Sequence, residues 1–221
     1  MSIKALAFDF DGTLADTLPA ITVGVNSALR LLGHPTHTEK EVRGFINRGA
    51  RELIRQALPE RYRNDEDYLT RAYEIYKVEY AKCNLLTKET YRGVDALVAE
   101  LHKTYRVGVL SNKPHDLLVA VVGQVLLAGS VDAVVGVGPN DPIKPDPRLS
   151  RKLTDALGVD PAECIMIGDS DVDVLTAKNA GMRHIGVAWG YRSAEFLRDA
   201  GARRVANTVS ELQTLIQELA N

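Results

Sequence analysis

The chain has 221 residues, long enough to bury a sizeable core in one or two domains. Its 27 Lys and Arg against 29 Asp and Glu leave a formal charge of −2, so no global field points to nucleic acid or a membrane surface as partner. Of two cysteines, Cys83 and Cys164, the second opens an apolar run and reads as a buried, inert thiol, which fits a reducing cytoplasm better than secretion.

In chain order, Ile3–Phe8 is a short apolar run broken only at Lys4, the pattern of a buried strand. No basic segment leads into an apolar one near it, so no signal peptide is expected. From about Thr17 to Leu85 the patterns are all helical, over Ala20–Leu32, Thr38–Phe45, Ala50–Ala57 and Asp65–Cys83. Punctuation near Gly33-His34-Pro35 and Leu58-Pro59 separates them. Strand and helix then alternate. Gly93–Lys103 is a helix, Arg106–Leu110 a strand, Pro114–Leu126 a helix and Val131–Val135 a strand. Asp146–Leu157, Cys164–Ile167, Val172–Ala180 and His184–Val187 repeat the pattern, and a short strand at Arg204–Ala206 and a helix at Val209–Leu219 complete it. The apolar tract Leu117–Val137 is interrupted by Gln124, Asp132 and glycines, so it divides into helix and strand rather than forming a membrane span. The expected fold class is α/β, a Rossmann-like doubly wound parallel sheet with helices on both faces. Residues 1–16 and 86–221 form its discontinuous core, and residues 17–85 form an inserted small helical cap domain of the kind that closes over substrate and excludes water.

Polar marks fall where the predicted strands end, which is where open parallel sheets bind ligands. Asp9-Phe10-Asp11-Gly12-Thr13 follows the first strand. A chain turning off its strand at a glycine can aim both carboxylates into one pocket. Two acids that close call for a cation or a shared proton, and Mg2+ is the usual hard cation where phosphate is handled. Ser111-Asn112-Lys113 follows the second strand, with a hydroxyl and amides suited to a phosphate oxygen. Lys144 sits among Pro142, Pro145 and Pro147, in a loop stiff enough to present a cation at a fixed place. Gly168-Asp169-Ser170-Asp171-Val172-Asp173 follows the fourth strand and offers an acid opposite Asp9 and Asp11. Each mark has an ordinary alternative. Asp-Gly is common turn punctuation, Ser-Asn and Asp-Ser are common helix caps, and most lysines face solvent. Their convergence on one sheet edge instead matches an Mg2+-assisted phosphoryl-transfer site, with nucleophile, acid/base, cations and oxyanion donors.

These four marks, in this order and over essentially the whole chain, resemble the haloacid dehalogenase superfamily of aspartate-nucleophile phosphatases, and the insert after Asp16 resembles the small helical cap of one subgroup. The resemblance implies that Asp9 attacks phosphorus to form an aspartyl phosphate, and that Asp11 protonates the leaving oxygen and then activates water. It implies Mg2+ held by the Asp9 carboxylate, the Asp11 backbone carbonyl and Asp169. It further implies that Ser111 and Lys144 stabilise the phosphoryl oxygens, that Thr13 and Asn112 add hydrogen bonds around Asp9 and the phosphate, and that Asp173 orients Lys144 or a metal-bound water.

Within the superfamily, Asp11 fits a phosphatase, because a halide leaving group needs no proton. A phosphosugar mutase of the same superfamily is the alternative, but no histidine follows Asp16 in Thr17-Leu18-Pro19-Ala20-Ile21. A non-catalytic phosphate-binding protein on the same scaffold is the other. Lys113, Ile143-Lys144-Pro145-Asp146-Pro147 and Trp189-Gly190-Tyr191 most resemble phosphoglycolate phosphatases and their near relatives. That group has two close glycines in a cap loop, where this chain has Phe45-Ile46-Asn47-Arg48-Gly49. Arg48 or Arg51 is a candidate for a substrate carboxylate. The stripe Tyr73, Tyr76, Tyr80 reads as packing. The expected partner is a small phosphorylated metabolite, with no nucleic acid or membrane, in a cytoplasmic monomer or homodimer.

Overall fold

A computed structural model of the protein describes residues 2–46 and 48–220. The chain divides into two compact units, Met1–Asp16 with Glu89–Asn221, and Thr17–Lys88. The first holds a six-stranded sheet made of β1 (Ala5–Phe8), β2 (Arg106–Pro114), β3 (Ala133–Val137), β4 (Cys164–Gly168), β5 (Arg183–Val187) and β6 (Val205–Ala206). Its order is β3-β2-β1-β4-β5-β6, and every pairing is parallel. The order reverses at β1, between β2 and β4. That is the switch point at which open α/β sheets form their ligand crevice. Register places Phe8 opposite both Val109 and Ile167, so these three strands deliver their following residues to one level.

The second unit contains α1 (Leu18–Leu31), α2 (Glu39–Phe45), α3 (Ala50–Ala57) and α4 (Glu66–Cys83), plus single 3-10 turns at Glu60–Tyr62 and Asn84–Leu86. Thr38 and Glu41 form a capping box on α2, and Asp65 caps α4 by accepting from the Tyr68 amide at 3.0 Å. Both side-chain atoms of the Asn26 amide bond the backbone of His37 at 2.8 Å, which pins the α1–α2 connection. Tyr76 and Tyr80 are buried and stack with ring centroids 5.3 Å apart, so these two members of the tyrosine stripe are packing within this unit, while Tyr73 is only half-buried. The unit ends at Lys88 rather than near 85, because the 3-10 turn after α4 still packs against α1 and α4.

In the sheet unit, α5 (Val94–Leu101), α6 (His115–Val125) and α10 (Val209–Ala220) cover one face, with Leu6, Phe8, Val107, Val109, Ile165 and Ile167 beneath them. The opposite face, with Ala5, Ala7, Leu110 and Met166, packs against α7 (Pro147–Leu157) and α8 (Asp171–Ala180). Burial on both faces makes β1 apolar throughout rather than alternating. β2 continues through Ser111, Asn112 and Lys113 to Pro114 instead of ending at Leu110, with an irregular register between Leu110 and Pro114 opposite β3. The backbone stays extended there while the side chains turn polar, and apolar periodicity tracks only the side chains. The sequence reading also missed α9 (Ala194–Asp199), a six-residue helix capped by Ser193 and too short to show a period. Among the described residues no helix is long and apolar enough to cross a membrane.

One strand residue is mismatched. His184, opposite Met166 on the neighbouring strand, has both ring nitrogens buried without a hydrogen-bond partner among the described residues. Burial pushes its imidazole down to about 4, against the opposing pull of Asp173. The unfolded chain therefore binds a proton between about 6.5 and about 4 that the folded chain refuses, and stability is lost as pH falls through that window. His184→Leu is expected to raise stability by about 1 kcal/mol at pH 7 and more at pH 5, since it removes an unsatisfied buried polar group. Urea midpoints at the two pH values, at unchanged slope, test this. A lower midpoint in the variant would show that the ring does have a partner.

Candidate active site

Asp9 is the first residue beyond β1, and its amide donates to the Ile167 carbonyl at 2.8 Å, extending the pairing with β4 by one step. The chain then folds back at once. The Gly12 amide bonds the Ala15 carbonyl at 2.9 Å, the Leu14 amide bonds the Phe10 carbonyl at 3.0 Å, and Phe10, Leu14 and Ala15 are all buried in the core. These anchors turn an ordinary Asp-Gly turn into a rigid mount. It leaves Asp9 buried and the Asp11 side chain more open.

Lys144 is the centre of the cluster. Its ammonium, almost fully buried, lies 2.8 Å from Asp9 Oδ1, 2.7 Å from Asp173 Oδ1 and 3.2 Å from the Leu110 carbonyl. An ammonium has three protons to donate, and each has an acceptor here. Asp173 meets the lysine with one oxygen and accepts from the Ser170 hydroxyl (2.6 Å) and amide (3.2 Å) with the other. The cap of α8 and the charged partner of Lys144 are thus one side chain. Asn112 holds the lysine from behind: its Oδ1 accepts from the Lys144 amide at 2.6 Å and its Nδ2 donates to the Lys144 carbonyl at 3.2 Å. The structure thus shows Asn112 positioning the lysine loop.

Asp169 is fully buried. It accepts from the Tyr191 amide at 2.6 Å and, more weakly, from the Thr13 hydroxyl at 3.4 Å. The Trp189 indole N–H donates to the Thr13 carbonyl at 3.1 Å, so the segment after β5 braces the loop after β1. Both glycines at this contact are needed. A Cβ on Gly12, whose φ is +83°, would fall 2.5 Å from Asp169 Oδ2, and one on Gly190 would fall 2.1 Å from the Gly12 carbonyl. Ser111 Oγ stands 3.5 Å from Asp11 Oδ2, and Lys113 Nζ lies 3.0 Å from Asp11 Oδ1. The sequence reading used Lys113 and Trp189-Gly190-Tyr191 only as family marks. Their polar contacts become apparent once the loops after β1, β2 and β5 are brought side by side.

The electrostatics show a shortage of positive charge. Burial, reinforced by the Asp173 charge, pushes the Asp9 carboxyl up to about 7 even though Lys144 pulls it down. Burial together with Asp173 and Asp9 also raises Asp169 well above the usual carboxylate range. For Lys144, burial acts to lower the pKa, but attraction to Asp173 and Asp9 outweighs it and holds the ammonium charged. Oxygens of Asp9, Asp169 and Asp173 all lie within 4.8 Å of one another. A buried, all-oxygen set with more acids than ammonium groups suits a hard divalent cation.

In the second unit, Arg51 donates to Glu66 Oε2 at 2.9 Å and to Thr70 at 3.0 Å, so it is committed to a surface cluster with Arg55 and Glu66. Arg48 is exposed, and Asn47 lies outside the described residues.

Residues 6–187 match the family model of haloacid dehalogenase-like hydrolases. A phosphoglycolate phosphatase of Vibrio parahaemolyticus is 31% identical over 219 residues, covering 97% of this chain and 96% of that one. A plasmid-borne phosphoglycolate phosphatase of Cupriavidus necator is 32% identical over 213 residues, covering 96% and 92%. Among solved structures, that of a predicted phosphatase from Clostridium acetobutylicum is 28% identical, with TM-score 0.88 over 99% of this chain and all of the other.

The raised Asp9 carboxyl has a thermodynamic signature. Its pKa lies above the 3.8 of the unfolded chain, so the folded state binds an extra proton between 3.8 and about 7. That contribution is complete below the unfolded value and is lost as pH climbs through the folded one. The melting temperature of metal-free protein should therefore fall between pH 5 and pH 8, and Asp9→Asn should flatten the slope. Added Mg2+ should raise the melting temperature more at pH 8 than at pH 5, because ligation displaces protons. Scanning fluorimetry across that range is the check, and an identical slope in Asp9→Asn would count against it.

Proposed function

The chain belongs to the haloacid dehalogenase-like hydrolases, and from that footing we propose that it is a phosphoric monoester hydrolase of the phosphoglycolate phosphatase type. The single observation that carries this reading is the convergence of Asp9 and Asp11 after β1, Ser111 within β2, Asp169 after β4 and Lys144 in the loop before α7. Mg2+ would suit the site, where the Asp9 carboxylate, the Asp11 backbone carbonyl and Asp169 would hold it. When bound, it supplies charge that offsets repulsion between an anionic nucleophile and an anionic ester.

Asp9 attacks phosphorus, an aspartyl phosphate forms and the bond to the leaving oxygen breaks as Asp11 gives it a proton. Asp11 then takes a proton from water, whose oxygen displaces Asp9 from phosphorus and frees inorganic phosphate. Lys144 and Ser111 stabilise the phosphoryl oxygens, with Thr13 alongside. Asp173 holds Lys144 in place: both of its oxygens already have partners in Lys144 and Ser170, which favours this role over direct ligation of metal. The helical unit Thr17–Lys88 serves as the cap. Its entry follows directly on the Asp9–Ala15 loop, and beyond its return Tyr91 bonds the Leu14 carbonyl at 2.9 Å, so both connections meet beside that loop. We assign Arg48 to the end of the substrate remote from phosphorus. Two buried cysteines that share no disulfide fit a reducing cytoplasm.

With Mg2+, the protein should release phosphate from small esters such as 2-phosphoglycolate, and EDTA should abolish release. Asp9→Asn should lower kcat by at least about a thousandfold while the fold persists. Silence of folded wild type across an ester panel would point to a phosphate-binding protein instead, and phosphosugar interconversion without net phosphate release would point to a mutase. For Arg48, steady-state kinetics of Arg48→Ala should show KM raised by roughly tenfold with kcat little changed, as expected when uniform binding is removed. An unchanged KM rejects the assignment.

A further inference from the structure

The apolar tract at one edge of the sheet has no role so far. Between Asp116 and Asp141, in a chain that is 25% charged, the only charged residue is Asp132. Its carboxylate is turned inward. It accepts from the Val107 amide at 2.8 Å and meets Arg106 at 2.9 Å and His102 at 3.2 Å. β3 stands at the end of the strand order and, among the described residues, pairs only with β2. Its outer row of N–H and C=O groups therefore has no strand to bond. Edges of this kind are ordinarily guarded by charged side chains or proline, and Ala133–Val137 carries neither. α6 continues the surface. His115 Nδ1 accepts from the Gly136 amide at 3.3 Å, which sets that side of the helix over the edge strand. Residues four apart share a helix face, so Val119 and Gly123 follow His115 along it, with Leu127 just beyond the helix end. Val119 is 46% exposed and Leu127 56%, and a Cβ on Gly123 would meet open space. Edge and helix thus form one uncharged, apolar surface of the kind that marks an interaction site.

We propose that this surface is a homodimer interface, in which β3 pairs antiparallel with β3 of a second copy about a two-fold axis and the two α6 helices pack beside each other. A two-fold contact lays a patch on itself, so the patch must hold no unmatched charge. With Asp132 turned inward, this one holds none. The charges that bound it are complementary. Arg106, whose side chain is 65% exposed, stands with Asp132 at the start of β3, and Asp141, paired with Lys152, lies beyond its end. Antiparallel pairing brings the start of one strand to the end of the other, and so Arg106 of one copy towards Asp141 of the other. The spacing fits as well. α6 packs over both β2 and β3, and neighbouring strands lie about 4.8 Å apart. Continuing the sheet through β3 therefore sets the two α6 axes about 10 Å apart or slightly less, an ordinary packing distance for helices. Gly123 permits the closer end of that range. The inference stands apart from the phosphatase reading and uses none of its residues.

Sedimentation equilibrium of the intact protein tests it. Wild type should show twice the mass of one chain at micromolar concentration. Val119→Glu should raise the dimer dissociation constant by at least about 100-fold, because it sets like charges together in the contact. Its near-UV circular dichroism should match wild type, since the site is exposed. As a second measurement, a short bis-maleimide should join Gly123→Cys into covalent dimers, the native Cys83 and Cys164 being buried. Wild type that stays monomeric at about 100 µM overturns the proposal, and the surface then serves a different partner. A dimer whose dissociation constant is unchanged in folded Val119→Glu overturns it in favour of another interface. Should Val119→Glu not fold, absence of cross-linking in folded, dimeric Gly123→Cys overturns it by itself. Phosphate release enters none of these readouts, so the phosphatase reading stands or fails separately.

Discussion

Lys144 lies between Asp9 and Asp173, and the rest of the site depends on that contact. Buried acids at this spacing repel one another, and burial alone already favours their neutral forms. One ammonium between two of them keeps the arrangement from coming apart. It leaves the cluster short of positive charge, and that shortage makes it receptive to a divalent cation. The balance is local: burial and the Asp173 charge push the Asp9 carboxyl up to about 7 despite Lys144. A group in that condition responds strongly to any further positive charge in the pocket.

The fold supports this contact by simple means. Strand order reverses at β1, so the loops after the neighbouring strands β1 and β4 lie side by side at the switch point. Three parallel strands in step bring Asp9 to within one residue of the level of Ser111 and Asp169, while α7 and α8 pack on the opposite face, with Lys144 in the loop before α7 and Asp173 in the first turn of α8. Features with ordinary structural purposes serve the site as well. The capping acid of α8 is the partner of Lys144, and the amide of Asn112 clamps the lysine backbone. Gly12 and Gly190 let two loops approach to a distance that no side chain allows. Stability and function therefore share atoms here, and most changes at these positions would disturb both.

The elements legible in the sequence were those where one physical signal dominates. Runs buried on both faces gave strands near their observed positions. The caps at Thr38, Asp65 and Asp146 marked helix starts to within a residue. The reading failed where the signal changes character. β2 continues through polar Ser111, Asn112 and Lys113, because backbone pairing is indifferent to side-chain polarity. α9 is too short to display a period, and the second unit extends past the end of its last long helix because a 3-10 turn still packs against it.

By itself, the sequence determined the parallel α/β plan, the helical insert after the first strand, and which acids, serine and lysine belong at the strand ends. Those follow from hydrophobic period and from residue types whose chemistry has few other uses in combination. Tertiary structure decided the pairings: it set Asp173 against Lys144, one of two roles the resemblance left open, and alone placed Asp9 on the same lysine, Lys113 against Asp11, the Tyr191 amide on Asp169, and Arg51 on Glu66. Each joins residues far apart in the chain or side chains whose direction the local pattern leaves open. A charge acts over a few ångströms of space, and sequence distance carries no information about which few those are.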